Sequence, residues 1–317
     1  MGSATTKPLV VVTEPLEQHA LDFLKANAEV VVIDKAQLDG YIDRVEGLVV
    51  RTYTLVTPEL LARAPKLKVV GRAGVALDNI NVPACRARGV EVVHTPAANT
   101  LAVVDYTMTM MLWMNRRFWF MDGALEPKQF HKVRGQTYGR FMKDTTLGII
   151  GVGRIGSRVG RAAAGLGMKV LYNDILPITL DYAAAAVDKA TLFAQSDIVT
   201  IHVPLTAQTR GFINAQALAQ FKAGAQFINA ARGECMVTED LAAALRAGRL
   251  SGAVVDCHNP EPPPADYPLF GLENVYLTPH IAARVPAATR AMCDVVYDVI
   301  KVLRGEKPQY AAAEGSY

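Results

Sequence analysis

The sequence is poor in cysteine, and what it has is unpaired: Cys85, Cys235, Cys257 and Cys293 show no CxxC spacing. Buried reduced thiols are expected rather than a disulfide framework or a zinc site, and no metal is expected. An excess of one charge is lacking too. Against 33 Lys and Arg stand 30 Asp and Glu, a net +3, which gives no basic stripe of the kind nucleic acid requires. The opening MGSATTKP has no hydrophobic signal core and leaves room for a short cloning scar before Leu9, so a cytoplasmic location is expected. An uninterrupted membrane span is also missing. The apolar stretch Leu101 to Met121 is broken by Asp105, Asn115, Arg116 and Arg117; its Met108, Met111 and Met114 are expected to pack a helix against a neighbouring domain or subunit. What is present, 317 residues with 51% hydrophobic side chains, suffices for about two domains with sizeable cores.

Residues 146–174, TLGIIGVGRIGSRVGRAAAGLGMKVLYND, read as strand, glycine turn, helix and a strand ending on an acid. Gly151 allows the tight turn, Gly153 lets backbone approach a pyrophosphate, and Gly156 lets the helix pack closely on the strand. The helix, with Ala162 to Ala164 as strong formers, points its free N–H groups at the phosphates. Asp174, 18 residues beyond Gly156, stands where a carboxylate accepts from the adenosine ribose hydroxyls and repels a 2′-phosphate. The unit predicts NAD as cofactor.

βα alternation runs on both sides of this unit. Strands are expected near Val10–Thr13, Val30–Ile33, Gly47–Val50, Val69–Gly71 and Val90–His94, with Pro58 and Pro83 near helix starts. A long helix from about Thr100 leads into the glycine unit. Further strands follow at Ile198–Val203, Gln226–Asn229, Gly252–Asp256 and Val275–Thr278, and a last helical segment, Ala287 to Leu303, crosses back to the first domain. Both sheets should be mostly parallel and doubly wound, leaving a cleft between two lobes.

Ligands of open α/β sheets bind past the carboxyl ends of strands, and three strands end there on polar groups. NAARG places Arg232, DCHNPEP places Asp256 and Glu261, and TPHI places His280. Each alone has a bland explanation: a solvated loop arginine, a turn acid, a structural histidine.

Together the glycine fingerprint, HVPL at His202–Leu205, NAARGE at Asn229–Glu234, the Asp256 to Glu261 spacing and TPHIA at Thr278–Ala282 resemble the D-isomer-specific 2-hydroxyacid dehydrogenase family, from about Val10 to Gly305. The resemblance implies an α/β fold of two doubly wound domains. A Rossmann-type cofactor domain would span residues 99–284, and a discontinuous flavodoxin-like substrate domain residues 1–98 and 285–317. It implies Arg232, Glu261 and His280 as the catalytic three. Cofactor contacts would come from Gly151, Gly153, Arg154, Ile155, Gly156, Asp174, His202, Pro204, Thr209, Ala230, Asp256 and His280, with Asp256 on the nicotinamide carboxamide. A homodimer built largely through the cofactor domain is also implied. In the reaction His280 would serve as general acid, Glu261 would fix its tautomer, and Arg232 would hold the substrate carboxylate.

The segment VGRAGVALDNI, residues 70–80, resembles the family's substrate-carboxylate loop, with the N–H groups of Gly74 and Val75 as donors; Ala76 replaces a frequent glycine. Arg51 and Arg72 follow first-lobe strands and match the phosphoglycerate dehydrogenase branch, where such arginines bind a remote phosphate. The expected substrate is therefore a 2-hydroxy or 2-keto acid with a second anion, of the 3-phosphoglycerate or 3-sulfolactate kind. Alternatives are a hydroxypyruvate or glyoxylate reductase and an NADH-sensing binding protein of the co-repressor type. No low-complexity recruitment tail is expected, and this together with the anion-binding arginines favours a metabolic enzyme; a regulatory domain is not expected either. Departures from the family pattern are Arg284 after the TPHI segment, a third cation or the partner of a surface acid; Cys257 and His258, expected to pack; and Asp105 with Tyr106 in the hinge helix.

Overall fold

Among the described residues each strand pairs with its sheet neighbours in parallel, so each crossover must run over a sheet face and cover it. The computed structural model describes residues 7–116 and 118–313; of the positions read above, residues 1–6, Arg117 and residues 314–317 lie outside these. The chain divides into two compact units, Met1–Asn99 with Arg284–Tyr317 and Thr100–Ala283.

The first unit carries β1 (Leu9–Val12), β2 (Glu29–Val32), β3 (Gly47–Val50), β4 (Val69–Arg72) and β5 (Glu91–His94), in the order β2-β1-β3-β4-β5. That is the flavodoxin-like order. Side chains alternate across the sheet: Val11, Leu48, Val50, Val70 and Val92 enter one core, while Val10, Val12, Val49, Val69 and Val93 enter the other. The helix Val295–Leu303 covers the second face with Val295, Val296, Val299 and Ile300. It lies so close that a Cβ on Gly71 would collide with Val299. The expected single C-terminal helix is two, Pro286–Cys293 and Val295–Leu303, meeting at Asp294. Pro58 and Pro83 sit in the first turns of their helices, behind the capping side chains of Thr57 and Asn81.

The second unit carries β6 (Thr146–Ile150), β7 (Lys169–Asn173), β8 (Ala185–Ala186), β9 (Ile198–Ile201), β10 (Ala225–Asn229), β11 (Leu250–Val255) and β12 (Val275–Leu277). Its order is β12-β11-β10-β9-β6-β7-β8, the Rossmann arrangement extended by one strand. Leu147, Ile149, Ile198, Ile228 and Val254 face one core; Ile150, Val199, Ile201, Phe227 and Val255 face the other. The helix Gly156–Gly165 buries a small-residue stripe of Gly156, Val159, Gly160 and Ala163 on the sheet. The methionines correct the sequence reading. Met111 and Met114 of the helix Thr100–Asn115 are buried in their own unit's core with Leu147, Ile149 and Ile228, because that helix lies on its own sheet, and Met108 packs against the same cluster.

Candidate active site

Three neighbouring strands end level: Asn229 pairs with Val255, and Val255 with Leu277. The polar groups that follow β10, β11 and β12 therefore emerge from one edge of a rigid platform. Arg232 lies three residues past β10, Asp256 directly after β11, and His280 three residues past β12. The loops are pressed together: a Cβ on Gly233 would collide with the His258 carbonyl, and the Cys257 thiol meets the Ala231 carbonyl at 3.4 Å. Cys257 is buried, and burial raises its thiol well above the ordinary value, so it is not an activated nucleophile.

His280 is the single non-glycine with positive φ, +53°, among the described residues. Such a backbone is strained for a residue with a Cβ and persists only where the surroundings impose it. Its Nδ1 lies 2.8 and 3.1 Å from the two Glu261 oxygens. With a carboxylate as acceptor, Nδ1 carries the hydrogen and Nε2 is left to face a ligand. The pair is part-open, with side-chain exposures of 37% and 33%, as groups that must meet a substrate require.

Asp256 is fully buried, and its carboxylate is already in use. Oδ1 accepts from the Thr278 hydroxyl (2.6 Å) and the Ile281 amide (2.8 Å), and Oδ2 from the Ala282 amide (2.9 Å). It therefore ties down the loop that carries His280, a role the sequence reading did not contain. His258 packs as expected, buried with its ring edge-on to Tyr267, and is hydrogen-bonded as well: its Nε2 meets the Thr278 carbonyl at 2.9 Å and its Nδ1 the Tyr267 hydroxyl at 3.3 Å.

The glycine turn has the shape the dinucleotide needs. Gly151 has φ +86°, and a Cβ there would lie 2.6 Å from the His202 carbonyl; one on Gly156 would collide with the Gly151 carbonyl. A Cβ on Gly153 would meet nothing within 4 Å, so space stands open over the turn for a bulky phosphate. Ser157 donates back to the Gly153 carbonyl at 3.1 Å, which leaves the amides of Gly153, Arg154, Ile155 and Gly156 as the helix's first-turn donors. Asp174 follows β7 and accepts from the Val152 amide (2.8 Å) and the Leu176 amide (3.0 Å), bracing the turn while keeping further lone pairs for hydroxyl donors. His202, Pro204 and Thr209 line the loop after β9, where the Thr209 hydroxyl donates to the Pro204 carbonyl at 2.6 Å, and Ala230 follows β10 directly. Burial pushes the His202 ring down to about 4, so it is neutral beside the turn.

In the first unit Arg51 and Arg72 end adjacent strands, since Val50 pairs with Arg72. Arg72 packs its guanidinium over Gly74, whose absent Cβ makes the room, and Arg51 donates to the Pro15 carbonyl at 3.1 Å. The Gly74 amide, expected as an anion donor, donates to the Arg72 carbonyl at 2.8 Å in this structure. Val75 has its carbonyl held by His94 Nδ1 at 2.7 Å. Unforeseen was Glu14, just past β1, whose buried carboxylate accepts from the amides of Arg51, Thr52, Tyr53 and Thr54 at 2.8–3.1 Å. Burial by itself would raise its carboxyl, but the four amides outweigh it and hold it below the ordinary range. An acid directly after a strand was the available signal. Arg284 is exposed.

No group of three or more His, Cys, Asp or Glu side chains able to hold a metal, and no helix long and apolar enough to cross a membrane, occurs among the described residues.

Two doubly wound parallel sheets, one bearing a glycine turn with its strand-end acid and an arginine, glutamate and histidine on adjacent strand ends, define a dinucleotide-binding α/β protein. The chain belongs to the D-isomer specific 2-hydroxyacid dehydrogenase family: residues 108–282 match the model of that family's NAD binding domain. It is 37% identical over 305 residues to D-3-phosphoglycerate dehydrogenase of Methanocaldococcus jannaschii, covering 94% of this chain and 58% of that protein. The chain thus spans little more than half the length of that relative. Hydroxypyruvate reductase of Thermotoga maritima is 34% identical, with 93% of this chain and 98% of the relative covered. (S)-sulfolactate dehydrogenase of Chromohalobacter salexigens is 36% identical, with 86% and 91% covered. Among solved structures, the TT0316 protein from Thermus thermophilus superposes with a TM-score of 0.86 at 33% identity, covering 96% of this chain and 100% of that one.

Proposed function

We propose that this protein is an NAD-dependent D-2-hydroxyacid dehydrogenase that interconverts a 2-hydroxy acid bearing a second anionic group and its 2-keto acid. The observation that carries the reading is the His280–Glu261 pair at 2.8 Å on the strand edge shared with Arg232. Bound at the glycine turn, the dinucleotide supplies or accepts the hydride at the substrate's C2. His280 holds a proton at Nε2 and passes it to the keto oxygen as negative charge grows there, then recovers it in the reverse direction. Glu261 accepts from Nδ1 and so fixes the tautomer. Arg232 presents a planar fork to the substrate carboxylate and polarises the carbonyl. Asp256 orders the His280 loop and retains one acceptor position for the cofactor's carboxamide.

For the second anion, support comes from Arg51 and Arg72 on adjacent strand ends of the first unit, read as the substrate domain, and from relatives named for phosphoglycerate and sulfolactate. The hydroxypyruvate reductase covered over 98% of its length favours a second reading, a reductase of small keto acids. A panel of keto acids with and without a C3 phosphate or sulfonate, followed by nicotinamide absorbance with NADH and with NADPH, separates the two. We expect the highest kcat/KM for a dianionic acid with NADH, since Asp174 stands as a like charge against a 2′-phosphate. A preference for uncharged-tail acids would reject the dianion reading, and equal use of NADPH would reject the role of Asp174.

We further place the protein in the cytoplasm as a homodimer formed through the second unit. Four buried free cysteines support the first statement. The segment after the helix Thr100–Asn115 supports the second: Phe118, Trp119, Phe120, Met121, Tyr138 and Phe141 are exposed, Phe120, Tyr138 and Phe141 by 70% or more.

A further inference from the structure

Thr278 is held through every polar atom it has. Its amide donates to the Val255 carbonyl at 3.1 Å, and its carbonyl accepts from the His280 amide and from His258 Nε2, both at 2.9 Å. Its hydroxyl lies 2.6 Å from Asp256 Oδ1 and 2.5 Å from the Tyr106 hydroxyl. The proton order follows from donor chemistry. A carboxylate only accepts, so the Thr278 hydrogen points to Asp256, and Tyr106 must donate to the lone pair that remains. Burial pushes the Tyr106 phenol up to about 12, which keeps that donor protonated. His258 likewise carries its hydrogen on Nε2 to serve the carbonyl, and its Nδ1 takes the Tyr267 hydroxyl.

The same carboxylate holds the chain on the far side of His280, through the amides of Ile281 and Ala282. His280 is thus tied before and after to one buried anion, and between the two ties its backbone stands at φ +53°. Without the ties a residue bearing a Cβ relaxes out of that region, and its ring swings away from Glu261. Tyr106 enters from the helix Thr100–Asn115, 172 positions away, so this tie joins the helix to the catalytic loop.

We propose that Tyr106, His258 and Thr278 are positioning residues that hold His280 in its left-handed conformation, with its ring on Glu261 and Nε2 presented to the reacting oxygen. The proposal rests on the reading of His280 as proton carrier. Thr278→Val keeps the side chain's shape but removes the hydroxyl, leaving Asp256 Oδ1 with the Ile281 amide alone and the Tyr106 hydroxyl without its acceptor; Thr278→Ser restores the hydroxyl; Tyr106→Phe removes the outermost donor alone. On the best keto acid with NADH, kcat should fall about ten- to a hundredfold in Thr278→Val and about three- to tenfold in Tyr106→Phe, the scale of unpaired buried groups, and stay near wild type in Thr278→Ser. Affinity for NADH, read by fluorescence, should change less than about twofold, because these residues act on the proton and not on the dinucleotide turn.

A second readout needs no turnover. In the ring nitrogen NMR spectrum at mildly alkaline pH, His280 should be held in the Nδ1-protonated tautomer in wild type and Thr278→Ser, and mixed in Thr278→Val and Tyr106→Phe. Should Thr278→Val fail to fold, Tyr106→Phe carries both readouts. Wild-type kcat and an unchanged tautomer in Thr278→Val or Tyr106→Phe would overturn the proposal, as would equal losses in Thr278→Val and Thr278→Ser. A wild-type protein that reduces no keto acid would instead sink the functional reading, while the ring spectrum still decides the positioning.

Discussion

At the scale of single residues, the histidines divide by environment. His280 sits part-open against Glu261, whereas His202 is partly buried and held neutral by the loss of solvent around its ring. His280→Ala should lower kcat by at least about a hundredfold, the usual contribution of a positioned acid, with cofactor affinity unchanged. Near-normal turnover in that variant would mean the proton comes from another group. His202 yields a prediction about stability. Its ring takes a proton near 6.5 when the chain is unfolded but only near about 4 when folded, so between these values the unfolded state binds more protons and acid favours unfolding. Stability contributed this way is full above 6.5 and lost as pH falls toward 4; Glu14, depressed below 4.5, adds a loss of the same sign further down. Melting temperature should therefore drop steadily through that window, and His202→Gln should flatten the slope. A parallel slope in the variant would assign the acid lability elsewhere.

At the scale of elements, strand ends set what each loop can do. Arg51 and Arg72 leave adjacent strands, and a charge-assisted contact is worth roughly 1.5 to 3 kcal/mol. Replacing either by Ala should lower kcat/KM for the dianionic substrate by about ten- to a hundredfold while changing glyoxylate reduction far less. Equal losses on both substrates would mean the arginines serve the fold. The strands themselves were legible because β-branched runs such as LVVV and GLVV, buried on both faces, have few other uses. The positions of Arg232, Glu261 and His280 were legible in the loops that follow β10, β11 and β12. The two-residue β8 was not legible, since two alanines carry no strand signal, nor was the exposed helix Pro127–Gln136. The Tyr106–Thr278 contact was out of reach too, because 172 residues and a completed sheet stand between the partners. The bond from the Gly74 amide to the Arg72 carbonyl depends on where that carbonyl points, which composition does not encode.

At the scale of the whole molecule, the proposed homodimer rests on the exposed aromatic segment. Phe118 and Phe120 stack with each other at 6.1 Å and both lie against Trp113, so the outer faces of this cluster form one apolar surface anchored to the long helix. Sedimentation should give twice the chain mass, and the pair Phe120→Glu with Phe141→Glu should give the monomer without loss of helical signal. A dimer that survives both charges would have its interface elsewhere.

Glu14 has a consequence for how specificity can change. Four successive amides pointing one way would trap any anion in reach, and by filling that trap with its own carboxylate the chain makes the backbone there indifferent to the charge of a substrate. Discrimination at that edge is left to side chains. A side chain can be exchanged by one substitution while a backbone trap cannot, so on the proposed reading the acceptance of different tails is adjustable at Arg51 and Arg72, while Glu14 goes on holding the Arg51–Thr54 loop in shape.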